Sequence, residues 1–502
     1  MGRTLSHIRS DSRPESPIDR VPVEILCRIF LALLHSPLSR FAPPNLGQYT
    51  RNMVLSKIIA VCRRWRSIAS DCAILWTNIT FSTTLLPTVQ GATLFFSRSK
   101  EAMLSIHIWD PARPAGDPKV EKASKMLLEA ISSQSHRISL CELSSSSPKF
   151  WRNWTLPAPN LRKLIVRGCC TNPPSLMFGG ITPRLENITS LHHTPWLLNN
   201  YAALRRAELR NCDHLARLET LLDALQGCEA LEKLTLHGYA RLRRGVPGPT
   251  PTLLPHLHEI DLLSCDSALI LEYLDTPTLI GPVVIYDTNP RQNILQCLPG
   301  SNHNKPYLGG ISELHVALDM YLARHYITGY YQDGRIAFYV GVHGVGDRVR
   351  WIWARSSIEA VASSAHFSEI HTLVFITDSL AIPWTMWLPN LTHIRKLSVS
   401  CPRSGDVLKA LLATSPEDGS PFCPLLDSLA VYRCGKYAIV DHVSLAKFLL
   451  YRYRVERPLR RLSLHQDEWE WIRDLDEAWG FLIESQCKHF GSPTAHCSLI
   501  VY

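Results

Sequence analysis

Cysteine and histidine are the residue types in this chain with the most chemistry to offer. Cys169, Cys212, Cys265 and Cys434 each close a segment in which apolar residues stand at the first, fourth and sixth places, beginning at Leu161, Leu204, Leu257 and Leu426. A zinc site needs three or four such donors brought together, commonly from Cys-x-x-Cys pairs, and these four lie in separate segments with no such pair. They read instead as small buried thiols where the chain leaves a strand and turns. Cys487-x-His489 with His496-Cys497 is the one tight Cys/His cluster, and its spacing fits no zinc pattern. Gly341-x-x-Gly344-x-Gly346 lacks the Lys-Ser/Thr of a phosphate loop and carries Asp347 where an anion would be repelled, so it reads as a hairpin loop. No H-E-x-x-H or G-x-S-x-G run occurs, and histidines such as His192-His193 stand isolated. The expectation is a non-enzyme with no catalytic residue, metal or cofactor.

Charge is the other chemistry available. The chain of 502 residues has 53 Lys and Arg against 44 Asp and Glu, a net charge of +9 that is small for its length. Residues 19–80 hold eight basic residues against three acids, and 467–484 reverse this with seven acids and only Arg473. The runs Arg205-Arg206, Arg241–Arg244 and Arg452–Arg461 could contact phosphate, but they read as solvated edges. Nucleic acid is therefore an unlikely partner class on charge alone. At 46% apolar and 19% charged residues the chain can bury a large core, which excludes general disorder. Fifteen cysteines with no apolar leader segment point to a reduced compartment, cytoplasmic and/or nuclear. No apolar run approaches the roughly 20 residues that span a bilayer, so no membrane partner is expected.

The elements that must carry these residues follow from periodicity. Residues 1–18 are rich in Ser, Arg and Pro and read as a disordered leader. Over 22–35, Ile25, Leu26, Ile29, Phe30 and Leu33 recur at helical spacing behind Pro22. The Pro-rich stretch 36–50 reads as a loop inserted before a second helix over 51–70, whose apolar face runs through Val54, Leu55, Ile58, Cys62, Trp65 and Ile68. Ser70 or Asp71 then caps a short turn ending at Leu75-Trp76.

Val21-Pro22-Val23-Glu24-Ile25-Leu26, Ile29-Phe30, Val61-Cys62-Arg63-Arg64-Trp65 and Leu75-Trp76 together resemble the F-box, in the expanded form of the large fungal F-box families. The resemblance covers a domain at 19–80. It implies a module that binds the Skp adaptor of a cullin-based ubiquitin ligase, with Pro22, Ile25, Leu26, Ile29, Val61, Cys62 and Trp65 facing the adaptor. Phe30, Ile68 and Trp76 read as packing residues of the small domain.

From 81 to 502 the recurring segments fit the leucine-rich-repeat template, with partial copies starting at Leu185, Leu231, Ile370, Ile394 and Leu459 and weaker ones at Met103 and Ile311. The expected fold class is α/β, a small helical F-box-like domain followed by an irregular leucine-rich-repeat-like solenoid. Residues 286–366 fit least and read as a possible insertion, with Asp333-Gly334 as a hairpin turn; 465–502 read as a terminal cap. An F-box followed by such repeats resembles the substrate receptors of SCF ubiquitin ligases, in which the repeats hold a target protein. Residues alternating with the buried Leu positions face outward. Lys163, Arg167, Arg206 and Arg210 then present a positive surface suited to an acidic or phosphorylated target segment. A scaffold acting outside ubiquitin transfer and a nucleic-acid-binding repeat protein are the alternatives.

Overall fold

The structure, a computed structural model, describes residues 17–34, 44–82, 86–110, 118–145, 156–168, 177–191, 201–210, 218–238, 251–263, 265–277, 279, 281–287, 310–319, 324–342, 370–377, 384–414, 421–432, 440–464 and 497–500. Residues 1–16 of the expected leader and 465–496 of the expected terminal cap lie outside these, as do Cys169, Cys212 and Cys434. The side chains of the 487–497 cluster also lie outside them. Two compact units are present, Met1–Leu185 and Glu186–Tyr502.

The first unit begins with three helices, α1 (Val23–Leu34), α2 (Pro44–Val61) and α3 (Arg63–Asp71), followed by a 3-10 turn at Ala73–Trp76. Two sequence expectations change here. Helix α2 starts inside the supposed loop, at Pro44, where a proline needs no intrahelical N–H partner and its fixed φ suits the first turn. The expected single helix over 51–70 breaks at Cys62, which is extended (φ −156°, ψ 170°) and caps α3 by accepting the Trp65 N–H on its Sγ at 3.4 Å. Ser70 and Asp71 fall in the last turn of α3, so the 3-10 turn starts from Cys72, without a side-chain cap.

The helices enclose Leu26, Phe30, Leu34, Leu55, Ile58, Ile68, Ala69, Leu75 and Trp76. Their chain continues into β1 (Asn78–Ser82), α4 (Leu86–Arg98), β2 (Leu104–Asp110), α5 (Pro118–Ser132), β3 (Ile138–Ser145) and β4 (Lys163–Arg167). The four strands pair in parallel in chain order, which requires crossovers; α4 and α5 supply the first two. Trp76 meets Phe95 of α4 edge-on at 5.1 Å, so the helical core runs on into the first strand–helix step.

The second unit is a parallel sheet with one reversal inside it. Its strands are β5 (Asn187–Leu191), β6 (Arg206–Arg210), β7 (Lys233–His237), β9 (Glu259–Leu263), β11 (Val283–Asp287), β12 (Ile311–Asp319), β13 (Arg324–Tyr331), β14 (Ile336–Val342), β15 (Thr372–Thr377), β16 (Lys396–Ser400), β17 (Ser428–Tyr432), β18 (Arg461–Leu464) and β19 (Cys497–Ile500), while β8 (Thr252–Leu253) and β10 (Leu274–Asp275) pair in parallel as a separate two-stranded sheet. Strands β5, β6, β7, β9 and β11 pair in parallel in that order. The meander β12–β14 then enters back to front, with β14 parallel to β11 and β12 parallel to β15. Strands β15 to β18 continue in parallel, and β19 pairs antiparallel to β18. The described part of 286–366 is thus built into the sheet. Asp333-Gly334 does turn the β13–β14 hairpin, with the Gly334 N–H on the Tyr331 carbonyl at 2.9 Å.

Most of the Leu-x-x-Leu segments become strands for the same local reason. The first apolar residue is buried and donates its N–H to the carbonyl three residues earlier, as Leu161 does to Ala158, Leu204 to Tyr201, Leu231 to Cys228, Ile394 to Leu391 and Leu426 to Cys423. The turn so closed delivers the chain into the strand with the next two apolar positions facing inward, as Leu164 and Val166 or Leu429 and Val431 do. Of the four repeat-offset cysteines only Cys265 is described. It is buried, and its thiol lies on the carbonyls of Leu236 and Leu263.

A candidate partner-binding surface on the helical bundle

Helix α1 is apolar on two sides. Leu26, Phe30 and Leu34, four residues apart, face the core, and Leu26 is fully buried. On the other side Val23, Ile25, Ile29 and Leu33 remain exposed, Ile25 at 43% and Ile29 at 42%. One stripe would satisfy a helix packed on a bundle; the second leaves apolar area in water.

The α2–α3 junction leaves further apolar area exposed. Val61, the last residue of α2, is 60% exposed, and the capping residue Cys62 beside it is exposed too. Trp65, one turn on, is half-buried against Phe30, with ring centroids 4.8 Å apart at 57°. It thereby links α1 to the junction. Pro22 stands exposed just before α1. Of the seven residues expected to face a partner, Pro22, Ile25, Ile29, Val61 and Cys62 lie at the surface and Trp65 lies at its margin. Leu26 is a correction: its place in the helical period turns it into the core, where it packs with Phe30. Phe30, Ile68 and Trp76 are buried as packing residues.

Two arginines that the pattern leaves outside the apolar face hold this surface in place. Arg64 donates from both terminal nitrogens to the carbonyls of Ile18 and Val21, each at 2.7 Å, fixing the segment that carries Pro22 against α3. Arg66 Nε reaches the Ile59 carbonyl at 3.0 Å and so closes the C-terminal end of α2. Trp76 donates its indole N–H to the Ala69 carbonyl at 2.6 Å. The only sequence signal for these roles is the position of the arginines one turn past a helix break, which itself has no glycine or proline to mark it. Burial and the neighbouring Cys72 push the Cys27 thiol up to about 11, so it stays protonated at neutral pH and offers no nucleophile.

The strand residues expected to form a positive face are placed differently from one another, and two of the four are paired with acids. In the first unit Lys163 is exposed, and Arg167 pairs with Glu142 at 3.3 Å. Glu142 also accepts from His107 Nδ1 at 2.9 Å. That hydrogen bond, offset in part by burial and aided by the nearby cations, holds the Glu142 carboxyl below the usual carboxylate range. In the second unit Arg206 is exposed and Arg210 pairs with Glu208. Lys233, next to Arg206 in register, pairs with both Glu259 and Asp261. These faces are mixed-charge ladders, because register sets an acid opposite or diagonal to most of the bases. Among the described residues no group of three or more His, Cys, Asp and Glu side chains is arranged to hold a metal ion. No helix there is long and apolar enough to cross a membrane.

Residues 18–82 match the family described as F-box-like. The helical bundle is an F-box-like domain. The match spans the segment fixed by Arg64, all three helices and the 3-10 turn, and it ends in β1. F-box domains are non-catalytic adaptor modules that bind the Skp adaptor, so the domain supports, in general terms, a substrate-receptor role of the SCF type. Compared with curated proteins, the chain matches none.

Proposed function

We propose that this chain is a substrate-receptor subunit of an SCF-type ubiquitin ligase. Its F-box-like domain docks on the Skp adaptor, and through it on the cullin, and its strand-rich region captures a target protein. The observation that carries this reading is the second apolar stripe of α1, Ile25 and Ile29, left in water on a bundle whose core is already closed, with Val61 and Cys62 exposed at the α2–α3 junction as well. Pro22, Ile25, Ile29, Val61 and Cys62 supply the contact, and Trp65 supports it from behind. Aromatic and aliphatic anchors at the centre of an interface carry most of its energy. The strand-rich region is read as a leucine-rich-repeat-like array. The receptor contributes no acid, base or nucleophile; it raises the concentration of the target near the charged ubiquitin carrier.

The test is co-purification of the full chain with the Skp adaptor and cullin from cells. Ile25→Asp/Ile29→Asp places two charges in the contact while leaving Leu26, Phe30 and Leu34 in the core. This variant is expected to lose adaptor capture at least about a hundredfold, as removal of two hot-spot residues does, with an unchanged melting temperature. Adaptor capture equal to that of the parent chain sinks the assignment.

A further inference from the structure

The second unit carries two rims built alike but charged differently. In parallel strands of this sheet, the carbonyl just before one strand accepts two successive N–H groups at the start of the next. Glu186, Arg205 and Glu232 do this for β6, β7 and β9, and His371, Arg395 and Asp427 do it for β16, β17 and β18. The first rim therefore stacks Glu186, Arg205, Arg206, Glu232, Lys233 and Glu259, in which three acids meet three bases and Arg205 pairs with Glu232 at 2.7 Å. The second stacks Arg395, Lys396, Asp427, Arg460 and Arg461, in which four bases meet one acid. All four bases are exposed.

The chain before β18 adds to the imbalance. The helix His442–Arg454 ends in a tight turn with Glu456 at φ +55°, and from this turn the exposed Arg454 and Arg457 stand a few residues from Arg460, with Glu456 as their only acidic neighbour in sequence. Arg457 is steadied by the Pro424 carbonyl at 3.0 Å. Among the described residues no carboxylate forms an ion pair with Arg395, Lys396, Arg454 or Arg460. Clustered like charges repel one another, and an occupant with several anions relieves that cost.

We infer that this rim, Arg395, Lys396, Arg460 and Arg461 with Arg454 and Arg457, binds an acidic segment of a protein partner. The inference rests on the substrate-receptor reading in naming that partner as the captured target. Neighbouring strands lie about 4.8 Å apart, so the bases of β16 and β18, with β17 between them, are on the order of 10 Å apart at the backbone. A single small anion cannot bridge them, whereas an extended acidic segment with charges several residues apart can. Among the described residues the exposed aromatic near the turn is Tyr453, one ring rather than the row on which successive bases stack, which favours carboxylate or phosphoserine over nucleic acid.

The experiment measures binding of a fluorescent deca-glutamate peptide, a serine-phosphorylated peptide of equal length and an oligothymidylate to the full chain. Arg395→Gln/Lys396→Gln and Arg460→Gln/Arg461→Gln are each expected to weaken acidic-peptide binding about tenfold or more, with affinity that falls as salt rises. Arg205→Gln/Arg335→Gln removes the same net charge elsewhere in the unit and is expected to stay within about twofold of the parent chain, both residues being exposed and paired. Tighter binding of the phosphorylated peptide through the same residues supports the rim and assigns phosphate as the anion. Unchanged binding by both rim variants, equal loss in the comparison variant, no peptide binding by the parent chain, or tighter oligothymidylate binding lost in the same variants overturns it. Cross-linking of a photoreactive deca-glutamate to the parent chain is expected to mark 395–396 and 454–461, a readout that needs no variant. Loss of adaptor capture with peptide binding intact strikes the receptor reading alone; the reverse strikes the rim alone.

Discussion

Arg137 is 4% exposed and spends its guanidinium on four acceptors: Gln134 Oε1 at 2.8 Å, Ser99 Oγ at 2.9 Å, and the carbonyls of Phe96 at 2.9 Å and Ala102 at 3.2 Å. Arg452 is likewise buried, with its terminal nitrogens on the carbonyls of Cys423 and Leu426. Desolvation lowers the pKa of both guanidinium groups, and the hydrogen bonds make the buried charge tolerable. Arg452 stood in the sequence as one member of a basic run read as a solvated edge. Nothing in the spacing separates it from Arg454, because its role depends on carbonyls some 30 residues away in the chain. Ile25 and Ile29 were legible for a different reason: a helix apolar on two sides announces both a core and a contact, and the four-residue spacing from Phe30 puts Leu26 on the core side. Glu142 gives the pH-dependent case. Its carboxyl is held low first by the His107 hydrogen bond, so the stability it contributes is present above the ordinary Glu value of about 4.3 and is lost as pH falls through its folded value. Glu142→Gln is expected to lower the melting temperature near neutral pH and to flatten its decline below about pH 4. Parallel melting curves for the two chains across that range refute the assignment.

Helix ends, more than helix middles, separate expectation from structure. The apolar period from Val54 to Ile68 passes through Cys62 without a fault, so periodicity alone joins α2 to α3. The break is made by an extended residue whose thiol is a weak cap and no punctuation mark. A better-marked junction lies between the helices Ser404–Leu412 and His442–Arg454. Asp441 caps the second by accepting from the Ser444 N–H at 3.0 Å and its hydroxyl at 2.8 Å, and these bonds hold its carboxyl below the usual range. Gly405, in the first turn of the other helix, leaves room for that carboxylate: an added Cβ would stand 2.4 Å from Asp441 Oδ2 and 2.8 Å from its Cβ. Gly405→Ala gains helix propensity yet must displace the cap, and it is expected to destabilise the second unit by about 1–3 kcal/mol, the combined scale of overpacking and cap loss. Urea midpoints of the two chains measure this; an unchanged or raised midpoint refutes it.

For the chain as a whole, the strands were legible and their order was not. The Leu-x-x-Leu segments locate β4 to β7, β9 and β15 to β18 because a buried turn residue and two inward positions are local features. Sheet order is not local. Strands β13 and β14 carry no copy of the segment, and their reversal between β11 and β15 depends on pairings across tens of residues. The charge of a strand face is not local either: Arg167 meets Glu142, and Lys233 meets Glu259 and Asp261, each on the neighbouring strand rather than near it in sequence.

The back-to-front meander also bears on how the chain is made. Strand β11 ends at Asp287, but the strand that covers its free edge, β14, begins at Ile336, so about fifty residues must be synthesised in between. At roughly 5–20 residues per second that is about 3–10 s during which an apolar strand waits on the ribosome with one row of backbone groups unpaired. Within the main sheet of this unit every other parallel neighbour is the next of its strands to emerge, apart from β15, which docks on β12. Nascent chains arrested with β11 outside the exit tunnel and β14 still within it are expected to recruit holding chaperones and to be cut by protease near 283–287, while chains arrested after β15 has emerged are not. Equal protection at both arrest points contradicts this order of assembly.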